Sequence, residues 1–405
     1  MPRQATRVRF IERGTGDAID DGLVLFFPGP ASVTGEDVVE LHLHGSRAVL
    51  EAVTGILAAL PGFRLAEAGE FTRRAFEHGK LDLTEAEAVA DLVAAETAAQ
   101  RRLALRQLEG ELGRLYDTWR GQLLRAGAHV EAAIDFPDED LPAILDSAAR
   151  DSVAALVDEI DSHLADNRRG EIMRNGVSVA ILGPPNVGKS SLLNALAQRD
   201  AAITSSVAGT TRDVIEVRLD LGGFPVILAD TAGLREGRDP VEEEGVRRAR
   251  ARASEADLTL VVFDMTRSGE LAGLDDVVDR ATILVANKLD LASGRDRTGH
   301  LASLPNGALP ISALSGEGIP VLLDRLAGAV RQRFGEQSGP VLTRARHRLA
   351  LAECVAALHR SLSASLPELA AEDLRLATRA LGRITGRVDV EDILDIIFRD
   401  FCIGK

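Results

Sequence analysis

The sequence predicts a multidomain protein: a small α+β N-terminal domain, a discontinuous helical domain, and an inserted α/β domain built around a phosphate-binding loop. Strand-like and helix-like runs alternate from residue 174 to about 335, on either side of a Gly-rich motif. Helical periodicity dominates before and after that region, and short strand-like runs occupy the first 78 residues. We therefore expect domain boundaries at 1–78, 79–173, 174–335 and 336–405, with the second and fourth segments forming one helical domain.

Composition places the chain among globular proteins with ample core, since 45% of its 405 residues are apolar and 27% are charged. The net charge of −15 argues against broad non-specific binding of nucleic acid, although a local basic patch remains compatible with it. Two cysteines, Cys354 and Cys402, are too few for a disulfide framework. No run approaches the ~18 apolar residues of a membrane span, and no signal peptide is evident. We expect a cytoplasmic protein without a membrane span.

The first 78 residues predict strands at Leu23–Phe27 and Val38–Leu43 and a helix near Ala48–Leu60. The first strand comes early, with little chain to pair beside it, so we expect this domain to be incomplete. His42 and His44 alternate along one strand face and could bind a metal. No third ligand is evident nearby, which favours ordinary strand residues.

Helical spacing begins at Leu83, where Thr84 and Glu87 have the spacing of a capping box. The helical run extends to Ile134 and is interrupted at 135–142, whose prolines forbid uninterrupted helix. Further helices are expected at about 145–168, from 343 to about 366, and from 368 to 384. Near the C-terminus an apolar stripe at i, i+3, i+4 spacing needs a partner, which we expect to be the earlier helical region; it comprises Val390, Ile393, Leu394, Ile397, Phe398 and Phe401.

The phosphate-binding motif is Gly183–Ser190, which satisfies GxxxxGKS between an apolar run at 177–182 and a helix-forming run at 191–197. In such a loop glycines let successive N–H groups turn toward one anion, and the helix N-terminus adds its dipole. We expect Lys189 to reach the β- and γ-phosphates and the Ser190 hydroxyl to bind Mg²⁺. A chance turn would leave the downstream sequence unconstrained.

Four further motifs follow in order: Gly209–Asp213, Asp230–Gly233, Asn287–Asp290 and Ser312–Leu314. The Asp290 carboxylate can accept two hydrogen bonds from guanine, whereas adenine presents an acceptor at N1. Together they predict guanine-nucleotide binding, with Ser190 and Thr211 as Mg²⁺ ligands. The predicted GTP-binding residues are Asn186, Val187, Gly188, Lys189, Ser190, Ser191, Thr210, Thr211, Asp230, Gly233, Asn287, Lys288, Asp290, Ser312 and Ala313.

Motifs outside the nucleotide-binding region carry a closer resemblance: Gly69–Phe76 followed by Lys80–Leu83, then Ile134–Pro137, and the terminal Phe401–Lys405. With these, the chain closely resembles the tRNA-modifying GTPases of the MnmE family, also called TrmE. The resemblance implies a dimerising, tetrahydrofolate-binding N-terminal domain, to which Arg73 and Lys80 are assigned. It further implies action with the flavin protein MnmG at C5 of the wobble uridine of certain tRNAs, giving a carboxymethylaminomethyl or aminomethyl group. The family usually begins earlier, with a glycine-rich strand that is absent here.

Hydrolysis needs a substitute for the usual water-orienting glutamine, because Leu234 follows Asp230–Gly233. The resemblance points to Glu242, although the sequence alone favours a solvated acidic run at 242–244. It also implies K⁺ in place of an arginine finger, held by Asn186, Ser205, Val207 and Thr210, and a catalytic role for Cys402 in tRNA modification.

Two other functional readings stay open on the sequence. The stronger is a regulatory or assembly GTPase switch without RNA chemistry, which would not require Cys402 or the N-terminal segment. The other is a P-loop ATPase, which Asp290 opposes. Cys402 could also simply be a packing residue next to Phe401.

Overall fold

The computed structural model describes residues 2–135, 143–166, 168–199, 201–203, 216–230, 256–267, 282–292, 294–335 and 339–388, with residues 394, 397, 398 and 401; for 143–147, 229, 230 and 294–296 it describes the backbone alone. The chain divides into two units. Unit 1 comprises residues 1–94, 104–162 and 346–405, and unit 2 comprises 95–103 and 163–345. Among the described residues, no helix combines the length and apolarity that crossing a membrane requires.

Unit 1 begins with a three-stranded antiparallel sheet in the order β1-β2-β3, followed by two helices. The predicted strand at Leu23–Phe27 is the second half of β2 and pairs on both sides, so the expectation that it lacked a neighbour was wrong. The sequence did not reveal β1, because its charged and apolar residues both lie at exposed or half-buried positions. The elements are β1 (Thr6–Ile11), β2 (Ala18–Phe27), β3 (Val38–His42), α1 (Arg47–Ala58) and α2 (Glu70–Glu77).

The helical part of unit 1 is built on a long helix whose buried residues recur every three or four positions, which makes one apolar stripe. Within that stripe Trp119 also donates a 2.9 Å hydrogen bond from Nε1 to Glu159, so its polar atom is satisfied. The expected helical run is thus broken into three helices before the turn. These are α3 (Leu83–Ala94), α4 (Ala98–Leu108) and α5 (Glu111–Asp135), followed by α6 (Ala143–Leu164); residues 98–103 of α4 and 163–164 of α6 belong to unit 2.

The start of α3 corrects the predicted capping box. Asp82 Oδ1 accepts the backbone N–H of Glu85 at 2.9 Å, and Glu85 Oε2 accepts the N–H of Asp82 at 2.8 Å. The reciprocal pair is therefore Asp82 with Glu85, and Thr84 only donates its hydroxyl to Asp82. Two overlapping spacings of the same kind occur in this stretch, and Glu87 is buried inside unit 1 instead.

Later in the chain two more helices, α11 (Ala345–Ser363) and α12 (Pro367–Thr385), complete the described helices of unit 1. Two residues of the apolar stripe near the C-terminus, Val390 and Ile393, lie outside the described residues, and the described ones pack against the partner expected for them. Leu394, Phe398 and Phe401 are buried against Leu83 and Ala86 of α3. The two halves of the helical domain therefore share a core, as a discontinuous domain requires.

Unit 2 contains a six-stranded sheet in the order β5-β6-β4-β7-β8-β9, parallel except for the β5–β6 hairpin. The predicted two-residue turn at Gly222-Gly223 is confirmed, and both glycines have positive φ, which this turn needs. Its elements are α7 (Arg169–Asn175), β4 (Val177–Leu182), α8 (Lys189–Ala197), β5 (Glu216–Leu221), β6 (Phe224–Asp230), β7 (Leu258–Asp264), β8 (Thr282–Asn287), α9 (Gly294–Ala302), β9 (Leu309–Pro310) and α10 (Ile319–Phe334).

Candidate nucleotide-binding site

The loop between β4 and α8 has the backbone geometry of a phosphate cradle. Gly183 has φ 147°, and a Cβ there would lie 2.0 Å from the carbonyl oxygen of Val262, so only glycine fits. Asn186 and Gly188 also have positive φ, at 62° and 97°. Turns of this kind point successive N–H groups at one position, here just before the N-terminus of α8. The loop can therefore hold an anion with its backbone.

Lys189 lies inside this loop and is 9% exposed. Its ammonium group donates hydrogen bonds of 2.8 Å to the carbonyl oxygens of Gly183 and Pro184, which fixes the side chain across the cradle. Ser190 and Ser191 follow in the first turn of α8 and are exposed. A hydroxyl at that position, beside a bound phosphate, is a suitable oxygen donor for Mg²⁺.

Asn287, at the end of β8, connects the phosphate loop to the loop after β9. It is 3% exposed; its Nδ2 donates to the Val187 carbonyl at 2.8 Å, and its Oδ1 accepts the Ala313 N–H at 3.0 Å. Both bonds are buried, so neither group has water as an alternative partner. Asn287, which the sequence predicts to bind nucleotide, therefore holds the two loops in a fixed relation.

Asp290 follows β8 in a short 3₁₀ turn and is exposed. Its Oδ1 accepts a 2.5 Å hydrogen bond from the Ser312 hydroxyl. The Ser312 hydroxyl oxygen in turn accepts a hydrogen bond from the backbone N–H of Ser315 at 3.0 Å. The carboxylate is thus oriented by the loop after β9, and an exposed edge is left for a base. The structure brings Asp290 together with Ser312 and, through Asn287, with Ala313.

Asp264 is a further residue of the candidate site, which was not predicted from the sequence. It ends β7, is 2% exposed, and accepts the Lys288 ammonium at 2.8 Å and the Thr266 hydroxyl at 2.7 Å. Burial alone would raise the pKa of Asp264, but the hydrogen bonds from Lys288 and Thr266 lower it below its ordinary value. The available signal was a carboxylate at the end of an apolar strand, next to the strand that carries Lys288.

Several predicted site residues lie wholly or partly outside the described part of the chain. Asp230 ends β6, and its backbone pairs with Ile181, but its side chain is outside the described part. The other predicted residues that lie outside the described residues are Ser205, Val207, Thr210, Thr211, Gly233, Glu242 and Cys402.

The two predicted folate residues lie on and just after α2. Arg73 is half-buried and pairs with Glu77 at 3.1 Å, whereas Lys80 is exposed. The most connected carboxylate of this motif is Glu70, which accepts both Arg64 and Arg74 at 2.7–2.8 Å. Hydrogen bonds from Arg64, the Glu67 N–H and Arg74 lower the pKa of Glu70 to about 2.

The histidines of the N-terminal domain behave as ordinary polar residues. β3 ends at His42, so His44 lies beyond the strand, and the expectation that both alternate along one strand face was wrong. His44 Nδ1 lies 2.7 Å from Asp20, and His42 Nε2 lies 3.1 Å from Glu40. Among the described residues no group of three or more His, Cys, Asp or Glu side chains could hold a metal ion.

Two family models match this chain, one at its N-terminal part and one over the rest. A family model described as the GTP-binding protein TrmE N-terminus matches residues 1–80, and one described as the MnmE helical domain matches residues 83–402. The chain belongs to the MnmE family of tRNA modification GTPases.

Curated proteins of the same family are similar to this chain over all or nearly all of its length. A tRNA modification GTPase MnmE from Parvibaculum lavamentivorans is 57% identical and matches 100% of this chain and 91% of its own length. Another from Rhodospirillum rubrum is 58% identical, covering 96% of this chain and 85% of its own length.

Similar solved structures cover a smaller part of the chain. A variant of Aquifex aeolicus Era bound to GDP and AlF₄⁻ is 25% identical, with 47% of this chain and 70% of that chain covered and a TM-score of 0.31. The G domain of the T. maritima FeoB iron transporter is 26% identical, with 38% and 98% covered and a TM-score of 0.28.

Proposed function

We propose that this chain hydrolyses GTP and, with the flavin protein MnmG, uses the cycle to modify C5 of the wobble uridine of certain tRNAs in the cytoplasm. The observation that carries the nucleotide part is Asn287, whose two buried hydrogen bonds join the phosphate loop to the loop that orients Asp290. Family membership supports the tRNA part.

Guanine recognition is assigned to Asp290, which would accept the two donors on the edge of guanine. Lys288, which pairs with Asp264, would pack beside the base, and Ala313 would close over the base with its backbone. Lys189 lies across the cradle where the β- and γ-phosphates would bind. Mg²⁺ bound by Ser190 and Thr211 would neutralise charge that develops on the phosphates during hydrolysis.

A monovalent cation is the proposed substitute for an arginine finger. Asn186 is exposed on the phosphate loop and offers an amide oxygen, which suits K⁺. Ser205, Val207 and Thr210 would supply the other oxygens. Glu242 is proposed to orient the attacking water, since Leu234 has no polar atom.

The N-terminal domain is proposed to dimerise and to bind a tetrahydrofolate derivative through Arg73 and Lys80. Both are cations on or next to α2, and folates carry carboxylates, so the charges are complementary. The folate would supply the one-carbon unit of the modification, and Cys402 is proposed to take part in that chemistry.

The hydrolysis proposal predicts a cation effect on turnover. Replacing K⁺ by Na⁺ should lower the GTP turnover rate by about tenfold or more while changing GDP affinity little, because the cation acts on transition-state charge. Glu242→Ala should likewise spare nucleotide binding and reduce turnover. Its neighbour Glu243→Ala is the matched control and should keep normal turnover. Equal rates in the two salts, or equal losses in the two variants, would contradict the assignment.

The modification proposal predicts different outcomes for the two cysteines. Cys354 is fully buried in α11, and burial raises its pKa to about 12, so it is a neutral core thiol. Cys354→Ser should therefore lower thermal stability. Cys402→Ser should leave stability and GTP hydrolysis near normal and abolish wobble-uridine modification, measured by mass spectrometry of tRNA from complemented deletion cells. Normal modification with Cys402→Ser would remove that residue from the mechanism.

A further inference from the structure

Unit 1 contains a cavity between helices that come from both segments of the helical domain. The cavity lies among α5, α6, α11 and α12, and its volume is about 360 Å³. Every residue that lines it belongs to unit 1 and has a described side chain. This volume falls within the range of sites that bind small molecules.

The walls of the cavity are aliphatic. Three lining residues are buried, namely Ala126 of α5, Val153 of α6 and Leu374 of α12, whereas Leu366 and Pro367, at the turn from α11 to α12, are exposed. The cavity therefore extends from the surface of unit 1 toward its core. No Phe, Tyr or Trp is among the described residues that line it, so a flat ligand would find no such ring on which to stack. An aliphatic chain is the apolar ligand that these walls suit.

Ser361, in the last turn of α11, is a buried polar residue of these walls. It is 7% exposed, and its hydroxyl makes no hydrogen bond with the part of the chain that the structure describes. Ser363, two residues further on, satisfies its hydroxyl by donating to the His359 carbonyl at 3.0 Å. A buried hydroxyl without a partner costs free energy, and a ligand oxygen inside the cavity would offset that cost. The cavity therefore favours a ligand with a hydrogen-bond acceptor along its chain.

Two basic side chains, His129 of α5 and Arg150 of α6, line the exposed part of the cavity. Neither forms an ion pair with a carboxylate of the described residues, whereas Arg360 of α11 pairs with Asp373 at 2.7 Å. None of the described residues that line the cavity is acidic. The charge at the entrance is therefore complementary to a carboxylate, which a guanidinium group binds with charge-assisted hydrogen bonds.

We propose that this cavity binds a medium-chain hydroxy acid, an aliphatic ligand that carries one carboxylate and one hydroxyl group. The chain lies between the helices, the carboxylate meets Arg150 and His129, and the hydroxyl oxygen accepts the hydrogen bond of Ser361. None of these residues belongs to the candidate nucleotide-binding site, so the inference does not depend on the proposed function.

The test is equilibrium dialysis of the full chain with tritium-labelled β-hydroxydecanoate, below the concentration at which it forms micelles. Two matched probes separate the polar contacts, because decanoate lacks the hydroxyl group and methyl β-hydroxydecanoate lacks the charge. The unaltered protein should bind β-hydroxydecanoate about tenfold more tightly than the methyl ester, since the ester cannot form the charged hydrogen bonds. It should bind decanoate about fivefold more weakly than β-hydroxydecanoate, since Ser361 is then left without a partner.

Two substitutions assign each preference to its residue. Arg150→Gln should make the acid and the ester bind alike, and Ser361→Ala should make β-hydroxydecanoate and decanoate bind alike. The matched controls are Arg125→Gln, at an exposed position of α5 outside the cavity lining, and Ser363→Ala, which removes the hydroxyl that bonds within its own helix. Both control variants should keep the preferences of the unaltered protein.

A cavity-filling variant tests where the ligand binds. Ala370 of α12 lines the cavity, and the larger side chain of Ala370→Phe should abolish binding of all three probes. If this variant does not fold, Arg150→Gln and Ser361→Ala decide the location, because they change only an exposed side chain and a single hydroxyl.

No saturable binding of β-hydroxydecanoate to the unaltered protein would overturn the proposal. Full binding to a folded Ala370→Phe protein would overturn it too. The same holds for probe preferences that Arg150→Gln and Ser361→Ala leave unchanged, because the ligand would then bind elsewhere.

Discussion

The two units of the chain place their important side chains in different ways. In unit 2 the candidate binding residues sit in short motifs at the ends of strands, at Gly183–Ser190, Asn287–Asp290 and Ser312–Leu314. In unit 1 the decisive contacts join residues far apart in sequence, with Glu87 and Arg346 separated by 259 positions and Asp117 and Arg387 by 270.

Topology explains the difference. Parallel strands deliver their C-terminal ends to one edge of a sheet, so motifs that are local in sequence become neighbours in space without further information. Helices of a discontinuous domain have no such rule, because the register and rotation of each helix depend on how all the side chains pack. A function that depends on motifs is therefore readable from sequence, whereas one that depends on packing is not.

The largest expected effect tests whether unit 2 recognises guanine through the single motif that contains Asp290. Asp290→Asn should lower GTP affinity by roughly a thousandfold and favour xanthosine nucleotides, because an amide can satisfy the C2 carbonyl of xanthine. Competition binding with labelled GDP measures both. Asp324→Asn, an exposed carboxylate on α10, is the control and should bind GTP normally. If ATP displaced labelled GDP from the unaltered protein as effectively as GTP does, the assignment of guanine specificity would be refuted.

A smaller effect tests whether unit 2 also contains a contact of the unit 1 type. Asn287→Ala would leave the Val187 carbonyl and the Ala313 N–H buried without a partner, at a cost of about 1–3 kcal/mol each. Denaturant unfolding should show this loss, and guanine-nucleotide affinity should fall with it. Asn194→Ala, at an exposed position of α8, should change stability by less than about 0.5 kcal/mol. A stable Asn287→Ala protein would mean that the two loops are held by other contacts.

The smallest effect concerns acid and unit 1. The pKa of Glu70 is about 2 in the folded protein, compared with an ordinary value of 4.5. The ionised carboxylate therefore stabilises the native state fully at pH values above 4.5. That contribution is lost as the pH falls from 4.5 toward about 2. Glu70→Gln should therefore be less stable than the unaltered protein at about pH 6 and differ less at about pH 3. Urea unfolding at both values gives the comparison, with the half-exposed Glu77→Gln as control. If the difference in stability between Glu70→Gln and the unaltered protein were the same at both pH values, the titration of Glu70 would not contribute to stability.

The predictions made from the sequence were right mainly for features that depend on neighbouring residues and incomplete for contacts between distant ones. The strands of unit 2, its hairpin and the helix after the phosphate loop were predictable, because each depends on periodicity or on a glycine turn. Asp264 was missed, although its position at the end of an apolar strand was a signal; its contact with Lys288 joins two strands and is visible only in the fold. Glu87 was assigned to a capping box on spacing alone, whereas the hydrogen bonds of the structure show that Asp82 and Glu85 form the box.

From the sequence alone we predicted three kinds of domain, a guanine-nucleotide site in one of them, and the short motifs that would form it. These features are written in residue order, because backbone conformation and motif chemistry act over a few residues. Only the tertiary structure decided that Asn287 joins two loops, that Glu87 pairs with Arg346, and that Phe401 rests on α3. Such contacts bring together residues that are distant along the chain, and burial, not sequence spacing, selects the partners of their polar atoms.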